Sequence, residues 1–375
     1  MHHKFRSLAL VLVLALGFGG AMAATAATAG AKTAATDLSG VCPSKLVLQT
    51  DWFPEAEYGV YYSMIGDKGT LDAKKGTYTG PLLNTGIDLE IRAGGPFIGQ
   101  ETVQSLMYQD NSINLGLVHT DDAVRFSKTL PVVAVAAPLE HSPLALVWDT
   151  SKHHFKSFKD IGASGATILV FTKAVNYVPF LVKKGLVPDS SFDDSFDGSY
   201  TRFVADPSIV QQAFVTETPY RLKNEITKYG KQVGSIMVSA SGYDPYLSSL
   251  SVKKSDLKSM SPCLKKLVPI VQQAQVDYIT KPAAGNKTMV DVATGMKTFW
   301  TLSPKLLAFG NAQMLKHKIV DNGGDATLGN MTTARVQKVI GQFHQVFGTN
   351  VDTANSSVKP SDISTNQFID SKIGL

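Results

Sequence analysis

The chain has 375 residues, 44% hydrophobic and 18% charged, a balance that suits two folded domains with ample core and excludes a disordered polymer. The formal charge of +5 comes from scattered Lys and Arg with no basic stripe and no nucleic-acid motif, so no nucleic-acid partner is expected.

The first feature in chain order is a transport signal. Lys4 and Arg6 precede the apolar run "LALVLVLALGF" at residues 8–18, and Ala21-Met22-Ala23 offers a small-x-small cleavage site. The run is about half the ~20 residues a bilayer span needs, and its flanks favour cleavage over an uncleaved anchor. Residues 1–23 are thus expected to leave as a signal peptide, which lowers the formal charge by two, from +5 to +3. Residues 24–41 read as a flexible tail. No small-residue lipobox follows the apolar segment directly, so Cys42 is not a lipid anchor. An even cysteine count in an exported chain suggests a disulfide between Cys42 and Cys263; the other reading is two buried thiols.

Residues 45–50 alternate as a strand does. Directly after them, "DWFPEAEYGVYYSM" packs Trp52, Phe53, Tyr58, Tyr61, Tyr62, Glu55 and Glu57 into residues 51–64. The spacing of Tyr58, Tyr61, Tyr62 and Ile65 predicts a helix over 57–65, and Tyr61, Tyr62 and Ile65 suit a core face. A second strand over 85–96 stops at Gly94-Gly95-Pro96. Val103, Leu106 and Met107 mark a helix face. Residues 113–118 form a buried strand that runs into the polar turn His119-Thr120-Asp121-Asp122. The apolar run 130–139 fits a buried parallel strand. This β-α-β-α-β order predicts an open parallel sheet.

A second unit follows. Strands are predicted at 145–149, 166–171, 201–205, 213–217 and 234–240. Helices are predicted near 175–185 and after a capping box at Ser208-x-x-Gln211. "SSFDDSFDGSY", residues 190–200, reads as an exposed polar loop. The remainder is mostly helical, with Ser261-Pro262 and Ser303-Pro304 each placing a cap and a first-turn proline before a helix.

In open parallel sheets, ligands bind beyond the carboxyl ends of the strands. Four unusual loops fall at such ends: residues 51–58, 94–96, 119–122 and 216–220. Each has an ordinary alternative. Gly94-Gly95-Pro96 fits a plain turn, Thr120 or Asp121 a helix N-cap, and His119 a satisfied structural histidine. Signals for catalysis are poor. "GASGA" at 162–166 misses the last glycine of G-x-S-x-G. There is no H-E-x-x-H, paired C-x-x-C or P-loop, and "DNGGD" at 321–325 lacks calcium-loop spacing. No catalytic residue, cofactor or metal is expected.

Five stretches in order, "TDWFPEAEYG", "GIDLEIRAGGP", "INLGLVHTDDAV", "LPVVAVAAPLEHSPLALVW" and "FVTETPYRL", carry a family likeness. The chain resembles the substrate-binding proteins of ABC importers in the NMT1/THI5-like (SsuA/THI5) family, over about residues 46–239 and more loosely to about 346. The first and last stretches are the specific ones. The resemblance implies an α/β fold of the type II periplasmic binding kind, with two lobes joined by two crossovers and a ligand clamped between them. It implies a first lobe begun by 42–139, a second lobe at 140–242, and a mostly helical return to the first at 243–375. Crossovers are expected near 137–144 and 239–247. It assigns Trp52, Glu57, Tyr58, Gly94, Gly95, Pro96, His119, Thr120, Asp121, Glu217 and Tyr220 to the ligand cleft. It further implies a small-molecule ligand, an ABC permease partner in the cytoplasmic membrane, a soluble periplasmic location and a monomer.

Relatives in that family bind thiamin pyrimidine precursors, riboflavin, or sulfonates, taurine and nitrate, so the likeness leaves the ligand open. Two departures bear on it. Relatives commonly carry His-Gly where this chain has Tyr58-Gly59. Pyrimidine-synthesising members use a reactive histidine and a cysteine-rich iron motif, which this chain lacks, and that argues against an enzyme. An aromatic, acidic loop suits a flat heteroaromatic ligand bearing amino groups, resembling a thiamin pyrimidine precursor. Trp52 or Tyr58 would stack on the ring, and Glu57 or Glu217 would accept its N–H bonds. An anion would favour cationic groups or bare helix N-termini instead. A periplasmic sensor or interaction protein is the remaining alternative.

Overall fold

The structure, a computed structural model, describes residues 36–172 and 176–375. The expected signal peptide at 1–23, its cleavage site and the tail up to residue 35 lie outside the described residues.

Twelve strands are described. They are β1 (Lys45–Gln49), β2 (Thr70–Asp72), β3 (Thr77–Pro81), β4 (Asp88–Arg92), β5 (Leu115–Val118), β6 (Val132–Ala136), β7 (Leu144–Asp149), β8 (Ile168–Leu169), β9 (Phe192–Asp193), β10 (Val210–Phe214), β11 (Val233–Met237) and β12 (Ser249–Lys253). They form two sheets, ordered β2-β3-β4-β1-β5-β12-β6 and β11-β7-β10-β8-β9. Each sheet with its helices makes one lobe. The chain passes from the first to the second between β6 and β7, and returns between β11 and β12.

The pleat explains why the centre of β1, Leu46 to Leu48, is apolar without interruption. Leu46 and Leu48 face one core, shared with the helices Gly59–Ile65 and Leu257–Thr280. Val47 faces the opposite core, shared with the helix Thr333–Phe347. A strand covered on both sides has no solvent face to leave polar. Cys42, just before β1, and Cys263, on the helix Leu257–Thr280, meet in the first of these cores. They are joined in a disulfide across 221 residues of chain.

Several sequence expectations need correction. The first sheet is mixed rather than parallel. β1 pairs parallel with β4 and β5, but β12 runs antiparallel between β5 and β6. The run at 130–139 is buried as predicted, yet its partner is antiparallel; a continuous apolar run reports cover on both faces, not the direction of its neighbour. Residues 201–205 form the helix Thr201–Ala205 rather than a strand, with Phe203 fully buried. The expected helix after Ser208 is β10, the middle strand of the second sheet. No capping box forms there, because the Ser208 hydroxyl and amide both turn back to Asp206. Pro262 lies inside the helix Leu257–Thr280 rather than in its first turn. Ser303 does cap its helix, accepting from the Leu306 amide with Pro304 in the first turn.

Candidate functional site

A cavity of about 1330 Å³ lies between the lobes. Its first-lobe wall includes Asp51, Trp52, Glu55, Tyr58, His119, Asp121 and Asp122. Phe171, Asn176, Phe196, Tyr200, Glu217 and Arg221 face them from the second lobe, with Tyr243 from the return crossover and Trp300 from the helical return.

The aromatic loop is placed by backbone bonds at the end of β1. The Thr50 hydroxyl donates to the Trp52 carbonyl at 2.7 Å. The Gly94 amide donates to the same carbonyl at 2.9 Å, and the Gly95 amide to that of Asp51 at 3.0 Å. A Cβ on Gly94 would sit 2.2 Å from the Asp51 backbone, so only glycine permits this approach. Gly95, at φ +61°, lies under the Trp52 ring. Trp52 in turn meets Phe53, Trp300 and, across the cleft, Phe171, with centroids 5.7, 5.8 and 5.7 Å away. Phe171 packs on Phe196 at 4.5 Å. An aromatic belt thus joins the lobes.

Beside it runs a chain of polar contacts. Tyr58 donates its hydroxyl to Asp51 Oδ1 at 2.6 Å, and His119 Nε2 lies 3.2 Å from Asp51 Oδ2. Asn176 Nδ2 donates to Asp121 Oδ2 at 2.9 Å and to Asp122 Oδ1 at 3.1 Å, while Tyr243 donates to Asp121 Oδ2 at 2.5 Å. These two donors bind the second lobe and the crossover to the start of the helix Thr120–Arg125. On the second lobe Arg221 is fully engaged. Its Nε donates to Glu217, Nη1 to Glu225 at 2.9 Å and Nη2 to the Thr301 carbonyl at 2.6 Å, with the guanidinium 5.2 Å from the Trp300 ring.

Charge here is set by burial and neighbours. Burial pushes Glu55 well above the usual carboxylate range, helped by the fields of Glu57, Asp51 and Glu217. Burial raises Glu57 to about 7, against the Thr216 hydrogen bond, and Asp122 to about 6, with Asp121 adding repulsion. Burial also opposes charge on Asp51 and His119, but their mutual bond wins: Asp51 is held below its ordinary value, and His119 is raised to about 9.

Trp52, Tyr58, His119, Asp121 and Glu217 therefore stand on the cavity wall, and six other candidates do not. Glu57 is buried and accepts from the Thr216 hydroxyl. Gly94 and Gly95 support the aromatic loop through the contacts just described, and Pro96 lies in the short turn Gly95–Ile98 that follows. Thr120 is buried, its Oγ1 accepting from the Tyr246 amide at 3.0 Å. Tyr220 packs its ring on Phe309, 5.5 Å away. The loop at 190–200 was expected to be exposed, but Phe192 is buried and Phe196 and Tyr200 reach the cavity. The four-residue spacing of those three rings was the available signal. Asn176, Phe171 and Tyr243 carried none.

No protein-family model and no curated protein matches the chain. Solved structures do. An ABC transporter protein from Parabacteroides distasonis superposes with a TM-score of 0.52 at 9% identity, covering 87% of this chain and 100% of that one. The alkanesulfonate-binding protein SsuA from Xanthomonas axonopodis pv. citri, bound to MOPS, gives 0.53 at 11%, covering 86% and 99%. The periplasmic aliphatic sulphonate binding protein SsuA from Escherichia coli gives 0.51 at 10%, covering 81% and 88%. The chain has the periplasmic binding protein fold. At these identities the likeness establishes fold and not ligand. No helix among the described residues is long and apolar enough to cross a membrane.

Proposed function

We propose that this protein is the exported solute-binding component of an ABC importer, and that its cleft clamps a flat, amino-bearing heteroaromatic molecule of the kind of a thiamin pyrimidine precursor. The observation that carries this is the company the aromatic belt keeps. Asp51, Glu55, Asp121, Asp122, Asp197 and Glu217 line the cavity, against His119, Arg221 and Lys228 among the described residues. His119 and Arg221 are already bonded to carboxylates, and Lys228 is exposed. A sulfonate or nitrate would meet mostly acceptors there, whereas ring amines would meet partners.

Glu55 sharpens the reading. Burial favours the protonated form of this carboxyl, and that form offers one O–H donor beside one carbonyl acceptor. An aminopyrimidine presents the complement, a ring nitrogen beside an N–H. Trp52 supplies a stacking face, and Tyr58 lends its ring edge. The cavity exceeds the roughly 300–1,000 Å³ of common ligand pockets, so it has room for a substituted ring.

Thermal melts and calorimetry against aminopyrimidines, flavins, alkanesulfonates and nitrate test the proposal. An amino-heteroaromatic at 100 times its Kd should add about 2.7 kcal/mol of stability. Stabilisation by sulfonates alone would overturn the ligand class. Indifference to every small molecule would overturn the transport reading in favour of a protein-interaction role.

A further inference from the structure

We infer that His119, Asp121 and Asp122 form a divalent-cation site in the cleft wall, of the class that takes mixed imidazole and carboxylate ligands, such as zinc. One ligand atom from each of the three lies within 4.8 Å of the others. His119 Nδ1 and Asp122 Oδ2 are 4.0 Å apart. That is beyond a hydrogen bond. It is close to the ~3.5 Å that separates two donors on one tetrahedral cation with bonds of about 2.0–2.2 Å.

The atoms not needed for a cation are already secured. His119 gives its other nitrogen, Nε2, to Asp51, which is itself held by Tyr58. Asp121 Oδ2 is taken by Tyr243 and Asn176, and Asp122 Oδ1 by Asn176. This is the outer-shell arrangement that orients metal ligands: an imidazole backed by a carboxylate, and carboxylates fixed by neutral donors.

A separate observation points the same way. Asp121 is 7% exposed, and its Oδ1 is buried without a hydrogen-bond partner. The residue lines the cavity. Aspartates in the first turn of a helix are ordinary companions of its dipole, and that accounts for Asp121 and Asp122 starting the helix Thr120–Arg125. It does not account for a buried carboxylate oxygen left bare. A cation shared with His119 and Asp122 does.

Three protein ligands leave a coordination position for water or for a donor atom of the cargo. Asn176 belongs to the second lobe, so closing the lobes and ordering the aspartates are one event. The site does not depend on the heteroaromatic reading: each is measured with its own probe, and either can fail alone.

The experiment is calorimetric titration of zinc chloride into the chelator-stripped full chain at pH 8, where the His119 proton competes less. Cobalt(II) absorption supplies an independent view of coordination. His2-His3 and His153-His154 are further histidine pairs, so the variants decide. His119→Ala and Asp122→Asn should each weaken one zinc site by tenfold or more and abolish its cobalt absorption. Asp51→Asn should weaken it by about 10–100-fold through the outer shell. His153→Ala should leave it unchanged. Circular dichroism melts confirm folding, and Asp121→Asn is read only if its melt is intact. No zinc binding by the wild type, or a site that survives in both His119→Ala and Asp122→Asn, would overturn the inference.

Discussion

The two walls of the cleft are built differently. On the first lobe, Asp51, Tyr58, His119, Asp121 and Asp122 follow the ends of β1 and β5 and are bonded to one another or to buried donors. On the second lobe, the rings that face them sit on thinner supports. Phe171 follows the two-residue β8 and is 37% exposed, and Phe196 and Tyr200 belong to the loop after β9. Asp51, Tyr58 and His119 are held within the first lobe, Asp121 and Asp122 also take donors from Asn176 and Tyr243, and the facing rings are apolar cover. Under the proposed clamp, chemical selection would fall mainly on the first lobe and water exclusion on the second.

The largest test asks how far the first lobe depends on its covalent tie. The bridge closes 221 residues, a span that includes the entire second sheet. Replacing both Cys42 and Cys263 by serine should cost roughly 2–5 kcal/mol in a guanidinium melt. A loss under about 0.5 kcal/mol would mean that the first lobe is held by packing alone.

Next comes the contrast between the walls. Trp52→Ala should weaken ligand binding by roughly tenfold or more, given about 1–3 kcal/mol for a buried aromatic face. Phe171→Ala should cost less, about 0.5–1.5 kcal/mol. Calorimetry that reversed this order would place selection on the second lobe.

A smaller, more diagnostic change is Glu217→Gln. It removes a carboxylate from the cleft and one anchor of Arg221. Binding of an amino-bearing ligand should fall several-fold, while affinity for a sulfonate should hold or rise. A gain for the natural ligand would count against the acidic-wall argument.

The smallest effect is a slope. Glu57 titrates near 7 in the folded chain, above the ordinary value of 4.5, so the folded state holds this proton more tightly. Its contribution therefore turns unfavourable as pH rises from about 4.5 to 7 and is constant beyond. His119, raised from 6.5 to about 9, contributes stability fully below pH 6.5 and loses it as pH climbs through 9. Melts of Glu57→Gln between pH 4.5 and 7 should be flatter than those of the wild type, and His119→Ala should flatten the limb from 6.5 to 9. Unchanged slopes would show that neither group is as buried as its position implies.

The first wall was also the legible one. β1, the loop after it, and the turn after β5 announce themselves by alternation followed by dense aromatic and acidic residues. Strand order picks out the loops that carry Trp52, Tyr58, His119 and Asp121, and the family resemblance supplies the residues within them. Glu57 was misassigned because two glutamates separated by one residue cannot both be aimed from sequence; Glu55 took the cavity and Glu57 the core. β10 read as a helix because Ser208-x-x-Gln211 matches a capping box locally, and only pairing with β7 and β8 overrides it. Asn176 and Tyr243 were invisible because their role exists only once two lobes meet. β12, "SLSVK", carries two large apolar residues and no turn signal of its own.

That short strand has a consequence in time. β12 fills the slot between β5 and β6, yet more than a hundred residues separate it in sequence from either neighbour. In chain order, every strand of the second sheet precedes β12, so without β12 the first sheet has a gap with two bare edges. Closing that gap is a long-range event of the slow kind. Until it happens the open edges can pair with other chains. Cys263 follows β12 by ten residues, so the bridge cannot close before the chain that carries this last strand has been made.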